Sequence, residues 1–593
     1  MPFGVQVQVL SRAPDYDSFD FFRPQGDFLL PSEARKIRKL VIKNDKIFVK
    51  KLYCFSKKYD TIISRMGKIA RYLNELIVGN VFDAPEILES YAVDRSIVQI
   101  KPKAVALPES TEDLSKLMRF CTQLAMKDIK VPVSVWGSGL DEMGADVGEG
   151  IVISTEKLNH LMEADRRERL VRVQAGITLK ELNTALSMYG LMVPVGGREN
   201  ETIGGLISNC PSDVYAGKYG GIMNFVERIE VVLPGGDIIQ TSRLNTKALA
   251  RVMQDKSLEG KLYRKITDLV KNNTELIKEI KQTGHGSAGY ATIAQVERKG
   301  TVDLMPLFFG AQGTLGVISE VILRAMPMRG KKARVVATFK DFISAQKFLD
   351  FANEFKPCQL DIYDVEIIQA AKKFGKKLSA VSDRAEEGFV VFAKFDHRIN
   401  NCMKKIKSIR SVMPRTTQLI MESPENQSKL DEFENSLTSF LNQVRTGERV
   451  PMVIDFYLPS ENILKFLDDL SVVEKSLKME LKLFGSYAAS NYNLRPKFNL
   501  EDEDFAKKAL AFIRACNFII ERQGGSITGG SPEGRVKAIV TNSGMSEKEK
   551  ALYSEIKKIF DPRDILNADV KLGAETKYTI KHFRTTNSAK TVL

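Results

Sequence analysis

Three glycine-rich segments in a fixed order constrain this 593-residue chain more than any other feature. They are Gly137-Ser138-Gly139, Thr202-Ile203-Gly204-Gly205 and Gly310-Ala311-Gln312-Gly313-Thr314-Leu315-Gly316-Val317-Ile318. A residue without a Cβ atom allows a tight backbone turn or a close approach to a ligand. One such segment is weak evidence, because ordinary turns also need glycine. Three in order, with strand-like segments between them, are hard to attribute to chance.

Composition restricts the broad class of the protein. With 43% hydrophobic and 27% charged residues, the chain is typical of a globular protein, and its length predicts two or more domains. The six cysteines are scattered without a C-x-x-C pair, which argues against zinc ribbons, iron–sulfur clusters and a disulfide framework. The first residues lack the pattern of a signal peptide, and no stretch is apolar enough to span a membrane. These features predict a cytoplasmic protein, with contact to a membrane surface left open.

The net charge of +14 could attract nucleic acid, membrane phospholipid or an anionic substrate. The charge is spread through mixed segments such as Glu275 to Lys281, and the sequence has no Arg-rich arm and no zinc finger. A solvated basic surface is therefore the preferred interpretation, and no nucleic-acid partner is expected.

The pattern of apolar residues divides the chain into four parts and predicts an α+β fold. Residues 1–97 are a Lys-rich, helix-prone extension. Residues 98–330 alternate strands and helices. Residues 331–500 contain two strand–helix–strand units, which predict a ferredoxin-like cap domain. Residues 501–593 form a helical segment that completes the C-terminal domain. The main predicted strands are Val131–Trp136, Ile151–Ser154, Val171–Ala175, Val226–Leu233, Ala333–Phe339, Gly388–Phe395, Pro451–Leu458 and Leu481–Tyr487.

The glycine segments, with Pro194-Val195-Gly196-Gly197 and Ser208-Asn209, resemble the two-subdomain, PCMH-type FAD-binding domain of the vanillyl-alcohol oxidase superfamily. The similarity is greatest to the branch that holds the glycolate oxidase flavoprotein subunit and D-lactate dehydrogenase, and it extends from about residue 98 to 570. The resemblance implies FAD bound by Trp136, Gly137, Ser138, Gly139, Leu140, Asp141, Gly144, Pro194, Gly196, Gly197, Thr202, Ile203, Gly204, Gly205, Ser208, Asn209, Gly313, Gly316, Val317 and Ile318.

The first glycine segment departs from the family pattern. The family usually has Arg before the first glycine and Thr-Ser or Thr-Gly after the second, whereas this chain has Trp136 and Leu140-Asp141. A carboxylate near a diphosphate should weaken binding unless Asp141 points away, and this loop taken alone could be a simple strand-to-helix turn. Covalent attachment in this superfamily uses a histidine in this loop, where the chain has Leu140, so the resemblance implies noncovalent FAD.

The family's metal site is replaced in this chain. In the 2-hydroxy-acid branch, a divalent metal and a histidine base act on the substrate hydroxyl. Two aligned segments, residues 485–496 and 528–535, carry Ser486 and Asn493 in place of the ligand histidines. They carry Gly530 in place of the ligand glutamate and Ser531 in place of the basic histidine. Because serine and asparagine are poor ligands for zinc or manganese, no metal is expected.

The aligned segments leave a short list of candidate catalytic residues: Tyr487, Asn493, Arg495, Glu533 and Arg535. The arginines could bind a carboxylate or phosphate, and a tyrosine or Glu533 could accept the proton. The alternative is that each of these residues is structural. The leading hypothesis is an FAD-dependent oxidoreductase that oxidises a small alcohol or hydroxy acid without metal and reduces an unidentified electron acceptor. The alternatives are a flavoprotein with non-redox chemistry similar to alkyl-dihydroxyacetonephosphate synthase, and a degenerate binding scaffold.

Overall fold

In a computed structural model, the apolar strands of the chain form three main sheets, and amphipathic helices accompany them. The structure describes residues 67–584, except for 284–287, 329–331, 397–403, 405–407, 409–417 and 442–448. Most of the predicted N-terminal extension, as well as His285 and His397, lies outside the described residues. The mixed helix and sheet architecture agrees with the predicted fold class.

The first sheet contains four short strands that flank the first glycine segment. Their order is β1-β2-β4-β3, with β1 antiparallel to β2 and the other pairs parallel. Every residue of β2 and β4 is buried, as expected for parallel strands that are covered on both faces. The strands are Asn80–Phe82 (β1), Ala104–Leu107 (β2), Val133–Trp136 (β3) and Ile151–Ser154 (β4). Since β1 lies before residue 98, the sheet begins inside the part that the sequence analysis assigned to the extension.

Three helices accompany the first sheet: Lys68–Leu76 (α1), Pro85–Ser90 (α2) and Thr111–Ala125 (α3). Ser110 caps α3 by accepting a hydrogen bond from Asp113 N at 3.2 Å, which satisfies one of the free N–H groups of the first turn. Helix α3 buries Leu114, Leu117 and Met118 along one side. The predicted helix from the Ser/Thr cap through Gln123 is therefore confirmed.

The second sheet is antiparallel and carries the second and third glycine segments at its ends. Its order is β5-β6-β9-β7-β8. The strands are Leu161–Asp165 (β5), Leu170–Gln174 (β6), Val226–Val232 (β7), Ile238–Gln240 (β8) and Val317–Arg324 (β9). The accompanying helices are Leu179–Ser187 (α4), Ile203–Asn209 (α5), Ala216–Tyr219 (α6), Thr246–Gln254 (α7), Leu258–Asn272 (α8) and Thr274–Thr283 (α9). Short pairings join Leu191–Met192 to Met326–Pro327, and Leu244–Asn245 and Glu297–Arg298 to Thr301–Val302.

The third sheet belongs to the cap domain and has seven antiparallel strands in the order β13-β10-β12-β11-β15-β16-β14. The strands are Ala333–Phe339 (β10), Gln359–Asp364 (β11), Phe389–Phe395 (β12), Gln418–Met421 (β13), Ile454–Tyr457 (β14), Leu483–Ser486 (β15) and Asn491–Leu494 (β16). A further pairing joins Arg449–Pro451 to Lys497–Asn499. The helices of this region are Phe342–Glu354 (α10), Val365–Lys373 (α11), Gln427–Leu441 (α12) and Ile463–Leu477 (α13).

The two faces of the cap sheet differ in polarity. One face packs on α10 and α13 through residues such as Val335, Ile362 and Leu494, which belong to a large apolar core. The other face carries polar side chains, since the cross-strand partners Asp361 and Ser486 share it, as do Asp455 and Asn493. Helices α11 and α12 cover part of this polar face through a smaller apolar cluster.

The C-terminal segment contributes helices both to the cap domain and to the domain that carries the three glycine segments, called here the glycine-rich domain. Its helices are Phe505–Arg522 (α14), Ala538–Gly544 (α15), Glu547–Phe560 (α16) and Thr576–Lys581 (α17). Helix α14 packs with the core of the cap, whereas Leu552, Ile556 and Phe560 of α16 belong to the core of the second sheet. After α16 the chain runs beside β3, because Val133 N donates to Ile565 O at 2.7 Å and Asn567 N donates to Val133 O at 2.9 Å. The last part of the chain thus completes the glycine-rich domain.

Within the described residues, no helix combines the length and the apolar composition that crossing a membrane requires.

Candidate cofactor and substrate site

Residues from all three glycine segments line one cavity of about 40 Å³, called here the glycine cavity. It lies where β3, the start of α5 and the loop before β9 meet. Its lining includes the predicted residues Gly137, Gly204, Gly205, Ser208, Asn209, Gly313 and Ile318. It also includes Val135, Ala145, Asp146, Thr155, Ala175 and Gln312, which the sequence analysis did not select as cofactor-binding residues. Segments that are up to 180 residues apart in the chain therefore form one site.

Two glycines of the cavity leave no room for a side chain. A Cβ atom on Gly137 would lie 2.6 Å from Thr202 Oγ1, and one on Gly204 would lie 2.9 Å from the Cβ of Ala175. Thr202 is itself fixed as the cap of α5, since its Oγ1 accepts a hydrogen bond from Gly205 N at 3.1 Å. The first and second segments are thus in direct contact.

Gln312 joins the second and third glycine segments to the C-terminal part of the chain. Its backbone N donates to Ser208 O at 2.9 Å, and its side-chain Nε2 donates to Asn209 Oδ1 at 3.1 Å. Its Oε1 accepts from Gly534 N at 2.9 Å, and its carbonyl accepts from Asn567 Nδ2 at 2.7 Å. Through its side chain and its backbone, Gln312 thus links three chain segments at the wall of the cavity.

The other predicted cofactor residues do not belong to the lining of the cavity. The Trp136 ring packs edge-on against Tyr91, with ring centroids 5.0 Å apart, and Gly139, at φ +67°, contacts the same indole. Ser138 is exposed, Ile203 is buried in α5, Val317 begins β9, and Gly316 contacts Val231. Gly196 N donates to Asp213 Oδ1 and Gly197 N to Glu199 Oε1, each at 3.1 Å. Pro194 lines a separate cavity of about 30 Å³ beside Tyr215 and Asp396.

Buried carboxyl groups gather behind the first glycine segment. Asp141 Oδ2 accepts hydrogen bonds from Met143 N at 3.0 Å and Ala145 N at 2.7 Å, so the side chain turns inward as a local brace. Burial, together with the nearby charge of Asp94, raises the pKa of Asp141 to about 7. Burial and the charges of Asp141 and Asp94 raise the pKa of Asp146 well above its usual range. The cavity thus has an acidic wall, which includes Asp146.

Most of the positions that the sequence analysis aligned with the metal ligands and the base of the resembled branch lie around a buried ion pair. Lys537 Nζ, which is fully buried, donates to the Asp455 carboxylate and, at 2.8 Å, to the Asp455 carbonyl. Ser531 Oγ donates to Asp455 Oδ1 at 2.8 Å. Asn493 is the cross-strand partner of Asp455, and a Cβ atom on Gly530 would lie 2.6 Å from Asp455 Oδ2. Three of the four substituted positions therefore contact this pair or lie beside it.

The fourth substituted position, Ser486, lies beside another buried carboxyl group. Asp361 Oδ2 accepts hydrogen bonds from Gln359 Nε2 at 2.6 Å and Tyr363 OH at 2.9 Å. Burial raises the pKa of Asp361 to about 7, and those hydrogen bonds oppose the rise. The buried Ser486 hydroxyl, on the cross-strand partner of Asp361, also opposes the rise.

Arg495 and Asn493 lie on the polar side of the cap, at the junction with the first glycine segment. Arg495 NH2 pairs with Glu142 Oε1 at 3.3 Å, and the guanidinium stacks 5.2 Å from the centre of the Phe484 ring. Arg495 also donates to the carbonyl of Leu441. Tyr487 points to the other side of the sheet, where its hydroxyl donates to Asp350 of α10.

Glu533 and Arg535 are enclosed by the protein. Glu533 Oε2 pairs with Lys571 Nζ at 2.8 Å, both side chains are fully buried, and Oε1 accepts from Gly289 N at 2.6 Å. Arg535 NH1 donates to the carbonyl of Gly144, and only 2% of the residue is exposed. Both charges are therefore used to join chain segments near the glycine cavity, rather than presented on the polar face of the cap.

Contacts between the cap and the glycine-rich domain bring the two groups of residues together. A Cβ atom on Gly217 would lie 2.6 Å from the backbone of Ala488, and Ser212 N donates to Gly530 O at 2.6 Å.

The sequence analysis missed Asp146, Asp361 and Asp455, because isolated aspartates carry no motif and only the strand register shows which of them share a face. Glutamine at position 312 was likewise visible only as part of a glycine segment.

The comparisons with known proteins agree with this architecture. Residues 102–242 match the FAD binding domain, and residues 330–570 match the C-terminal domain of FAD linked oxidases. The chain is 26% identical over 492 residues to a D-lactate dehydrogenase of Archaeoglobus fulgidus, covering 81% of this chain and 94% of the relative. It is 24% identical over 494 residues to a D-2-hydroxyglutarate dehydrogenase of Pseudomonas putida, covering 80% of this chain and 49% of the relative. The chain therefore spans only about half the length of that relative.

A solved structure shows the same fold. The 4-ethylphenol oxidase of Gulosibacter chungangensis, in its isoeugenol complex, superimposes with a TM-score of 0.61 at 14% identity, covering 87% of this chain and 97% of that chain. The matched families together cover both the glycine-rich domain and the cap, and FAD is the cofactor that they bind. The chain belongs to the FAD-linked oxidase family of FAD-dependent oxidoreductases.

Proposed function

We propose that this protein oxidises the CH–OH group of a small hydroxy acid or alcohol to C=O, with hydride transfer to noncovalently bound FAD and release of the hydroxyl proton to water, without a metal ion. The observation that carries the proposal is the meeting of all three glycine segments at one cavity, while Arg495 of the cap pairs with Glu142 just after the first segment. The names of the relatives supply the substrate class, since they act on D-lactate and D-2-hydroxyglutarate.

The backbone around the glycine cavity fits FAD. Gly137, Gly204, Gly205 and Gly313 line the cavity with backbone alone, and Ser208, Asn209 and Gln312 supply hydrogen-bonding groups. FAD held there would supply the hydride acceptor for the substrate carbon. The cavity of about 40 Å³ suits a few water molecules, so binding of a dinucleotide requires it to widen.

The absence of a metal is proposed from what fills the ligand positions. The Lys537 ammonium and the Asp455 carboxylate neutralise each other where Gly530 and Ser531 replace the ligands. A glutamate at position 530 would clash with Asp455, since its Cβ atom alone would lie 2.6 Å from Oδ2. Among the described residues, no group of three histidine, cysteine, aspartate or glutamate side chains could hold a metal ion. A fixed ammonium is thus the cation at this position.

Arg495 is the proposed ligand of the substrate carboxylate. It directly follows strand β16, which carries Asn493, and it is about one-quarter exposed. Its 3.3 Å contact with Glu142 is long for a charge-assisted hydrogen bond, so a substrate carboxylate with shorter, bidentate geometry can compete for the guanidinium. Tyr487, Glu533 and Arg535 are better explained as structural residues, because each is occupied inside the protein.

The experiment that tests the proposal is reduction of the flavin by substrate. Purified protein is reconstituted with FAD, and saturation at 100 times the dissociation constant should stabilise it by about 2.7 kcal/mol. D-lactate, D-2-hydroxyglutarate, glycolate and simple alcohols are then added under anaerobic conditions while the flavin absorbance is recorded. Bleaching by any of them supports the proposal. Bound FAD that no member of the panel reduces favours the non-redox or scaffold alternatives, and failure to bind FAD rejects the proposal.

A further inference from the structure

The acidic wall of the glycine cavity bears on how FAD binds. Asp146 lines the same cavity as Gly137, Gly205 and Gly313. A ligand that fills the space between the glycine segments therefore lies next to Asp146. The matching families bind FAD, whose diphosphate carries two negative charges, so the charge of this side chain matters.

The surroundings of Asp146 oppose a negative charge. Asp141 and Asp94 lie near it in the same group of buried carboxyls, and Glu201 before α5 adds a third acidic neighbour. The hydrogen bonds from Met143 N and Ala145 N go to Asp141, and those from Ser96 go to Asp94. These donors oppose the rise in the pKa of Asp141 and Asp94, and a backbone hydrogen bond from Asp141 does the same for Asp146, although its pKa is still raised well above the usual range.

The cations of this region are already committed. Arg198 pairs with Glu201 at 3.0 Å, and Arg535 donates to the carbonyl of Gly144. Arg584 donates to the carbonyl of Asp94, and Arg495 pairs with Glu142. Arg95 adds a further positive charge near Glu201. None of these contacts gives Asp146 a salt bridge, and burial together with its acidic neighbours raises its pKa well above the usual range.

We propose that Asp146 is a cofactor-binding residue that contacts FAD in its protonated form, as a hydrogen-bond donor, and that FAD binding in alkaline solution, where the free side chain is ionised, is coupled to proton uptake at this side chain. A neutral carboxylic acid offers one O–H donor to a phosphate or carbonyl oxygen, whereas a carboxylate in the same place repels a diphosphate. The inference rests on FAD being the cofactor, as the family membership indicates.

The sign of the pH dependence follows from linkage. Inserting a diphosphate beside Asp146 raises its pKa further, so the complex binds more protons than the free protein between the two pKa values. Across that interval the dissociation constant for FAD rises tenfold for each unit of pH. Below it, affinity is independent of pH. Binding should thus be tight in mildly acidic solution and weaken on the alkaline side.

The experiment measures FAD binding to the full-length protein by isothermal titration calorimetry from pH 5.5 to 9, in pairs of buffers with different ionisation enthalpies. The expected result for the wild-type protein is uptake of about one proton per FAD and a dissociation constant that rises about tenfold per pH unit on the alkaline side. This measurement needs no variant. Asp146→Asn should remove both the proton uptake and the slope, and should bind FAD more tightly than the wild type at pH 8.5.

The matched control is Asp361→Asn, which alters another buried aspartate whose pKa is raised by burial but which lies in the cap under α12. This variant should keep the wild-type slope. Binding without proton uptake, or a slope that survives in Asp146→Asn, overturns the proposal. A slope that is lost in Asp141→Asn but kept in Asp146→Asn reassigns the proton to Asp141 and also overturns it. If neither the wild type nor Asp146→Asn binds FAD at any pH, the proposed function fails and takes this inference with it.

Discussion

The buried pair of Glu533 and Lys571 offers the sharpest test of how this site is built. Both side chains are fully buried, their charged atoms are 2.8 Å apart, and Glu533 also accepts a hydrogen bond from Gly289 N. The sequence suggested a catalytic role for Glu533, whereas the geometry suggests that it joins the C-terminal segment to the third glycine segment through Lys571 and Gly310 O. The change Glu533→Gln preserves shape and removes the charge, so it separates the two roles.

The expected cost of Glu533→Gln follows from the fate of Lys571. Removing one partner of a buried ion pair typically costs about 3–5 kcal/mol. An upper bound is the free energy of deprotonating the lysine instead, which is about 4.6 kcal/mol at pH 7 for an ordinary pKa of about 10.4. That bound falls by about 1.4 kcal/mol for each unit of pH, to roughly 2 kcal/mol at pH 9. The variant should therefore be destabilised by about 3–4.6 kcal/mol at pH 7 and clearly less at pH 9.

The assay is urea unfolding followed by tryptophan fluorescence. The chain has a single tryptophan, Trp136, which lies in the first glycine segment and so reports on the domain that contains the pair. Since a chain of this size unfolds in more than one step, the apparent midpoint of the Trp136 transition is the quantity to compare. The double variant Glu533→Gln/Lys571→Met removes both charges and should recover most of the lost stability. A single variant with a wild-type midpoint and abolished flavin reduction would refute the structural role and restore the catalytic one.

Three further predictions concern the cap and the metal question. Between pH 5.5 and pH 8, the stability of Asp361→Asn relative to the wild type should increase by about 2 kcal/mol. The reason is that the pKa of Asp361 rises from 3.8 in the unfolded chain to about 7 in the folded protein, so the wild type loses stability as pH rises between these values. Equal pH dependence of the two unfolding midpoints would contradict this. Arg495→Ala should slow substrate reduction of the flavin at least ~100-fold, equivalent to ~2.7 kcal/mol, with FAD content unchanged, while the exposed Arg514→Ala serves as the control; near-normal rates with a verified substrate would remove Arg495 from the site. Elemental analysis should find no stoichiometric zinc or manganese, and Gly530→Glu should lower the melting temperature without adding a metal, because its Cβ atom would lie 2.6 Å from Asp455 Oδ2; a metal bound by the wild type would show that Lys537 does not replace it.

The local signals in the sequence predicted most of the fold. Apolar segments such as Ile151–Ser154 and Ala333–Phe339 became strands with the predicted bounds, and the cap before Thr111 began a helix as expected. The glycine segments were informative for a physical reason, since Gly137 and Gly204 each meet another side chain where a Cβ atom would sit. These features depend on a few neighbouring residues and can therefore be read from a linear pattern.

What the sequence did not show depends on contacts between distant residues. Whether Asp455 meets Lys537, or Glu533 meets Lys571, is decided by the register of strands and by the return of the C-terminal segment. Alignment placed Glu533 and Arg535 next to the lost histidine, but only the packing reveals that their charges are turned inward. The sequence analysis placed β1 in the extension for a similar reason, because β1 joins the sheet only through pairing with β2.

The return of the chain from the cap to β3 also affects how the protein is made. The glycine-rich domain lacks the partner of Val133 and the apolar side of α16 until residues 547–567 have been synthesised. At about 5–20 residues per second, a ribosome needs roughly 10–50 s to extend the chain from residue 330 to residue 567. During that interval the edge of β3 and the core of the second sheet are open. The nascent domain should therefore depend on chaperones, and a fragment that ends near residue 330 should aggregate rather than bind cofactor.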